Sequence, residues 1–161
     1  MRSDNARVNY WLMKSEPDDV SIDDLARAPG HTVAWTGVRN YQARNFMRDA
    51  FRVGDGVLFY HSSCPDPGIA GIAEVVSVAQ PDETQFDPAS PYHDPASRRE
   101  APRWLGVDVR LVRKTRLLPL AEMRAASELA TMRTLQRGNR LSITPVSPAE
   151  WDAVLHRLDA A

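Results

Sequence analysis

From Val57 onward the strand-like runs of this chain do not alternate with helices of crossover length, and that pattern argues against a doubly wound α/β architecture. Val57-Leu58-Phe59-Tyr60-His61 is dense in β-branched and aromatic residues, and a short loop with Pro65 and Pro67 leads from it into a second strand, Gly68 to Val76. A third run starts at Trp104, where Leu105, Val107, Val109 and Leu111 alternate with Gly106, Asp108 and Arg110 as far as Val112. Between the second and third lies only a proline-rich stretch with Pro81, Pro88, Pro91, Pro95 and Pro102, a long loop of the kind that tends to be functional. A doubly wound parallel sheet needs a crossover after each strand. The chain reads instead as an α+β domain, a small mixed β-barrel of about five or six strands flanked by helices.

The flanking segments fit that reading. Alternation of Val8, Tyr10, Leu12 and Lys14 with Trp11, Met13 and Ser15 predicts a first strand, and Ser21 with Asp24 has capping-box spacing for a helix ending near Pro29-Gly30. Ala43, Phe46, Met47, Ala50 and Phe51 share one face of a helix of about three turns, closed by Gly54 and Gly56. Leu120 to Leu135 reads as an interrupted helix, and Leu141 to Thr144 as a last strand stopping at Pro145. Ser147-Pro148-Ala149-Glu150 opens a terminal helix with Trp151, Val154, Leu155 and Leu158 as its apolar stripe. Residues 1–7 are expected to be a polar tail and 8–161 one domain.

Composition excludes several functions. A net charge of −1 argues against a polyanion binder held by bulk charge, leaving a local ridge of Arg44, Arg48 and Arg52, spaced by four, as either a phosphate contact or a solvated face. No apolar run reaches the roughly 18 residues of a membrane span, and residues 1–10 lack a secretory apolar core, so a cytoplasmic protein is expected, with no membrane partner. Phosphate-cradling glycine motifs are missing, and His31, His61, His93 and His156 are far apart without ligand-spaced companions; neither a cofactor nor a metal is expected. Cys64, the single cysteine, follows His61 closely enough to suggest an activated thiol, against the plainer reading of a partly buried side chain. Trp11, Trp35 and Trp104 lie near strand ends beside polar residues, where an indole serves either the core or a stacked planar ligand.

Several long segments together resemble the EVE domain: Tyr10-Trp11-Leu12-Met13-Lys14-Ser15-Glu16-Pro17, Trp35 through Asn45, Phe59-Tyr60-His61-Ser62, Pro67 through Val75, Pro102-Arg103-Trp104 and Arg140-Leu141-Ser142. The resemblance runs from Tyr10 to Leu158 and implies a PUA-like barrel that binds a modified base, with modified cytosine such as 5-methylcytosine in DNA leading and modified bases in RNA beside it. It implies no catalytic residues. Carried over by position, the pocket comprises Lys14, Ser15, Trp35, Val38, Arg39, Asn40, Tyr41, His61, Ser62, Trp104, Arg140 and Ser142. Ser63-Cys64 departs from the asparagine that many relatives carry after the His-Ser pair.

In such a pocket Trp35 is expected to stack on an extruded or single-stranded base, with Tyr41 or Trp104 on another side, and Asn40, Ser15 and Ser142 at the base edge. Lys14, Arg39, Arg44 and Arg48 are the phosphate-contact candidates. Trp35→Ala is expected to remove binding and leave the fold largely intact. The competing class is a hydrolase of modified nucleosides on an ASCH-like barrel, with Lys14, Glu16 or His61 as acid and base, favoured if a lysine and a carboxylate face one cavity. A small-metabolite or protein-interaction module is the third reading.

Overall fold

The computed structural model describes residues 8–160; the expected tail, 1–7, lies outside them. Strand β1 (Tyr10–Ser15) turns into helix α1 (Ile22–Arg27), where the Ser21 hydroxyl accepts the Asp24 amide and the Asp24 carboxylate accepts the Ser21 amide, as the capping spacing indicates. Then come β2 (Thr32–Ala34), α2 (Tyr41–Asp49), β3 (Gly56–His61) and β4 (Gly68–Val75). The proline-rich segment is bracketed by a small ribbon of β5 (Gln80–Pro81) and β6 (Leu105–Gly106). β7 (Asp108–Pro119) runs into α3 (Leu120–Ala125), and β8 (Ile143–Val146) precedes α4 (Pro148–Asp159), which starts with the expected reciprocal Ser147 and Glu150 cap.

Six strands form one mixed sheet in the order β2-β7-β4-β3-β1-β8. β1 and β3 are parallel, with α1, β2 and α2 in the chain between them; the other neighbours are antiparallel. The α+β class, the mixed sheet and the flanking helices are as expected, but the sheet stays open. Its edges, β2 and β8, are three and four residues long, and Pro145 in β8 has no N–H to extend a ladder.

Both faces of the sheet are covered. Trp11, Met13, Val57 and Phe59 pack against Ile22 and Leu25 of α1 and Ala43 and Met47 of α2. Leu12, Leu58, Tyr60 and Ile72 face the other way, against Met123, Leu129, Val154 and Leu158. Two-sided burial is why β3 reads as an unbroken apolar run. Among the described residues no helix is long and apolar enough to cross a membrane.

Four boundaries differ from the sequence reading. α2 ends at Asp49, so Arg52 lies off the helix that carries Arg44 and Arg48. β7 continues for 12 residues through Val112, Arg113 and Lys114, exposed one after another and so on both faces, which leaves no apolar period. Pro145 sits inside β8 opposite Trp11, tolerated because that strand is an edge. Leu120 to Leu135 is α3 followed by two separate 3-10 turns, Ser127–Leu129 and Arg133–Leu135.

Candidate functional site

The parallel pair β1 and β3 ends at Ser15 and His61, and the chain stops hydrogen-bonding regularly just where the start of β8 and the end of β2 arrive. Backbone bonds tie these segments: Lys14 N–H to the Ser142 carbonyl at 2.8 Å, Ser62 N–H to that of Ser15 at 2.9 Å, and Trp35 N–H to that of Val107 at 2.7 Å. They frame a cavity of about 500 Å³, within the range of small-molecule sites. Its wall comprises Lys14, Ser15, Glu16, Asp19, Val20, Val33, Ala34, Trp35, Thr36, Gly37, Val38, Ser62, Ser63, Tyr92, Asn139, Arg140 and Ser142.

Of the residues singled out in the sequence, Lys14, Ser15, Trp35, Val38, Ser62, Arg140 and Ser142 meet at this wall. Trp35 is only 7% exposed and packs edge-on against Phe59 with ring centroids 5.5 Å apart, so most of its surface belongs to the core. Arg39, Asn40, Tyr41, His61 and Trp104 do not line the cavity. The Asn40 side chain accepts the Ala43 amide at 3.0 Å, capping α2. Tyr41 stacks on Trp104 at 4.7 Å, and the Trp104 indole N–H donates to Asp94 at 2.8 Å. His61 faces a second cavity with Cys64, and its Nε2 accepts the Ile22 amide at 3.1 Å. Burial holds the His61 pKa below its ordinary value, with the Asp23 carboxylate opposing.

Arg39 serves a buried frame. The Asp82 carboxylate, 0% exposed, accepts from the Gly37 amide at 2.8 Å, Arg39 Nη1 at 3.0 Å, and the Thr84 amide and hydroxyl at 2.9 and 2.5 Å. Arg39 also donates through Nε and Nη2 to the Tyr92 carbonyl at 3.1 and 2.7 Å. Burial alone would raise the Asp82 pKa; the bonds from Thr84, Gly37 and Arg39 outweigh it and lower it. This frame seats the aromatic ring of Tyr92 over Gly37, whose φ is +84° and where a Cβ would come within 2.7 Å of the ring. Tyr92 thus supplies the second aromatic residue of the wall, from a proline-rich loop whose sequence carries no local signal for it.

The wall holds charges of both signs. Lys14 and Arg140 form no ion pair among the described residues, and burial lowers the Lys14 pKa. Glu16 and Asp19 stand on the turn after β1. The helix arginines are engaged elsewhere: Arg48 clamps Asp49 at 2.8 and 2.9 Å, and Arg44 bonds Asn45 and the Arg103 carbonyl. Sequence reasoning missed Asp19, Tyr92 and Asn139 as wall residues.

Comparison with known proteins places this geometry in a family. The EVE domain model matches residues 9–157. Thymocyte nuclear protein 1 of Homo sapiens is 45% identical over 165 residues, covering 91% of this chain and 72% of its own length. A hypothetical protein from Leishmania major superposes with a TM-score of 0.90 at 46% identity, covering 96% of each chain. The human THYN1 protein, solved in complex with DNA containing 5-methylcytosine, superposes with a TM-score of 0.89 at 42% identity, covering 95% of this chain and 99% of its own.

Proposed function

Because the chain belongs to the EVE domain family, we propose that it is a non-catalytic reader that takes a modified cytosine of DNA into the cavity beyond β1 and β3. The observation that carries this reading is the human relative solved with DNA containing 5-methylcytosine, which shares the fold over nearly the whole chain. The cavity agrees in chemistry: aromatic and apolar groups from Trp35, Tyr92, Val33 and Val38 for a ring and its methyl, and hydroxyls of Ser15, Ser62 and Ser142 for an edge. A flipped or single-stranded base is the form that reaches it.

One observation favours a second reading, turnover of the base. Lys14 and Glu16 face the same cavity, the arrangement that acid–base hydrolysis of a modified nucleoside requires. Thermal unfolding with modified and unmodified nucleosides and short strands, followed by mass analysis of the recovered ligand, separates the two. Ligand at about 100 times its Kd adds roughly 2.7 kcal/mol of stability. A shift specific to the modified cytosine with the ligand recovered intact is the expected result; a converted base establishes the enzyme instead.

The phosphate path has its own test. Arg140, exposed and without an ion pair among the described residues, is expected to act on the DNA backbone, so Arg140→Ala reduces the slope of log K against log salt by about 0.9 while preserving base preference. Arg48→Ala is expected to change that slope less, because Asp49 already neutralises the Arg48 guanidinium. Equal slopes for wild type and Arg140→Ala remove Arg140 from the backbone contact.

A further inference from the structure

If the cavity reads 5-methylcytosine, its hardest competitor is thymine, which carries the same methyl group on the same ring. Apolar contact with that methyl favours both bases equally, and stacking does not separate them. They differ along one edge, where cytosine presents an amino group that donates beside a ring nitrogen that accepts, and thymine a carbonyl oxygen that accepts beside a ring N–H that donates. A protein group at the amino position that only accepts hydrogen bonds therefore favours cytosine over thymine, and a carboxylate is such a group.

We infer that the Asp19 carboxylate is the group that accepts the exocyclic amine of the bound cytosine and rejects thymine, an assignment that rests on the reading of the cavity as a methylcytosine site. Two carboxylates line the wall, and Asp19 is the one that is held in place. Its Oδ2 accepts the Tyr92 hydroxyl at 2.7 Å, and its amide donates to the Glu16 carbonyl at 2.8 Å. Tyr92 is in turn held by Arg39 through its carbonyl, and Arg39 by the fully buried Asp82. A chain of bonds thus runs from the interior to the cavity wall and ends on a carboxylate with Oδ1 still able to accept. No lysine or arginine lies within ion-pair distance of Asp19 among the described residues, so this acceptor is not spent on a cation. Asn139, also on the wall, has an amide nitrogen without a hydrogen-bond partner among the described residues; that donor suits the O2 carbonyl oxygen common to both bases and leaves the discrimination to the acceptor.

The test uses duplexes carrying 5-methylcytosine, cytosine or thymine opposite an abasic position, so that lost pairing costs the same for each. Wild type is expected to bind 5-methylcytosine at least about tenfold more tightly than thymine, below the 10⁴ or more of fully enclosed polar sites because Asp19 is exposed. In Asp19→Asn that ratio falls to within about threefold, since an amide donates to the thymine oxygen as well as accepting, while the ratio of 5-methylcytosine to cytosine is retained. Tyr92→Phe, which frees the carboxylate without removing it, narrows the thymine ratio in the same direction by less. Equal wild-type affinity for 5-methylcytosine and cytosine overturns the methylcytosine reading itself. With that preference intact, an Asp19→Asn protein that weakens for all three bases alike, keeping the thymine ratio, overturns the assignment of Asp19 alone.

Discussion

Asp82→Ala is expected to lower stability by about 3 kcal/mol and to weaken binding of methylated DNA together with it. The carboxylate is fully buried and serves Gly37, Arg39 and Thr84 at once, so its removal leaves a largely buried guanidinium and a backbone N–H without their acceptor. Arg39 retains some solvent contact, 23%, which places the cost at the lower end of that for broken buried pairs. At roughly 2–4 °C per kcal/mol for a chain of this size, the melting midpoint falls by about 6–12 °C. The pH dependence has a definite sign. The folded pKa of Asp82 is lowered, so its contribution is present above the unfolded value of about 3.9 and fades as pH falls through the lower folded value. Melting of wild type and variant across pH 2 to 7 is expected to show a gap that is constant at neutral pH and narrows only in strong acid. A variant that melts within about 2 °C of wild type at pH 7 contradicts the role given to this carboxylate.

Trp35→Ala is expected to cost about 3–5 kcal/mol, lowering the midpoint by roughly 6–20 °C, in addition to removing part of the cavity wall. The sequence suggested a stacking platform whose loss would spare the fold. With 7% of its surface exposed and Phe59 against its ring, Trp35 is a core residue that shows one part of itself to the cavity. The distinction is measurable: Trp35→Phe is expected to recover most of the stability and only part of the affinity for 5-methylcytosine DNA. If Trp35→Ala unfolds with the wild-type midpoint, the packing described for this indole is wrong.

These two residues also show what is legible in the chain. The capping signals at Ser21 and Ser147 act over three residues and are visible as such. The long motifs at Lys14-Ser15, Trp35 to Val38, Ser62 and Arg140 to Ser142 converge because parallel β1 and β3 end side by side and β8 begins beside them. Local pattern fails where a residue's partner is distant. Asn40 looks like a base-edge amide but its side-chain oxygen caps a helix, and Arg39 looks like a phosphate contact but meets Asp82, 43 positions away. Tyr92 lies in a segment without periodicity, and contacts with residues distant in sequence, Arg39, Gly37 and Asp19, carry it to the cavity. Exposed β7 residues such as Arg113 and Lys114 escape notice because both faces of the strand meet solvent there, which leaves no apolar alternation to read.

Calorimetric titration of the wild-type protein with two DNA duplexes that differ by one 5-methyl group on a single cytosine, at matched salt, tests the central claim most directly. An added methyl in a fitted apolar cavity is worth about 1–3 kcal/mol, so the methylated duplex is expected to bind some 10- to 200-fold more tightly. Equal affinities for the two duplexes contradict the assignment of this cavity to a modified cytosine.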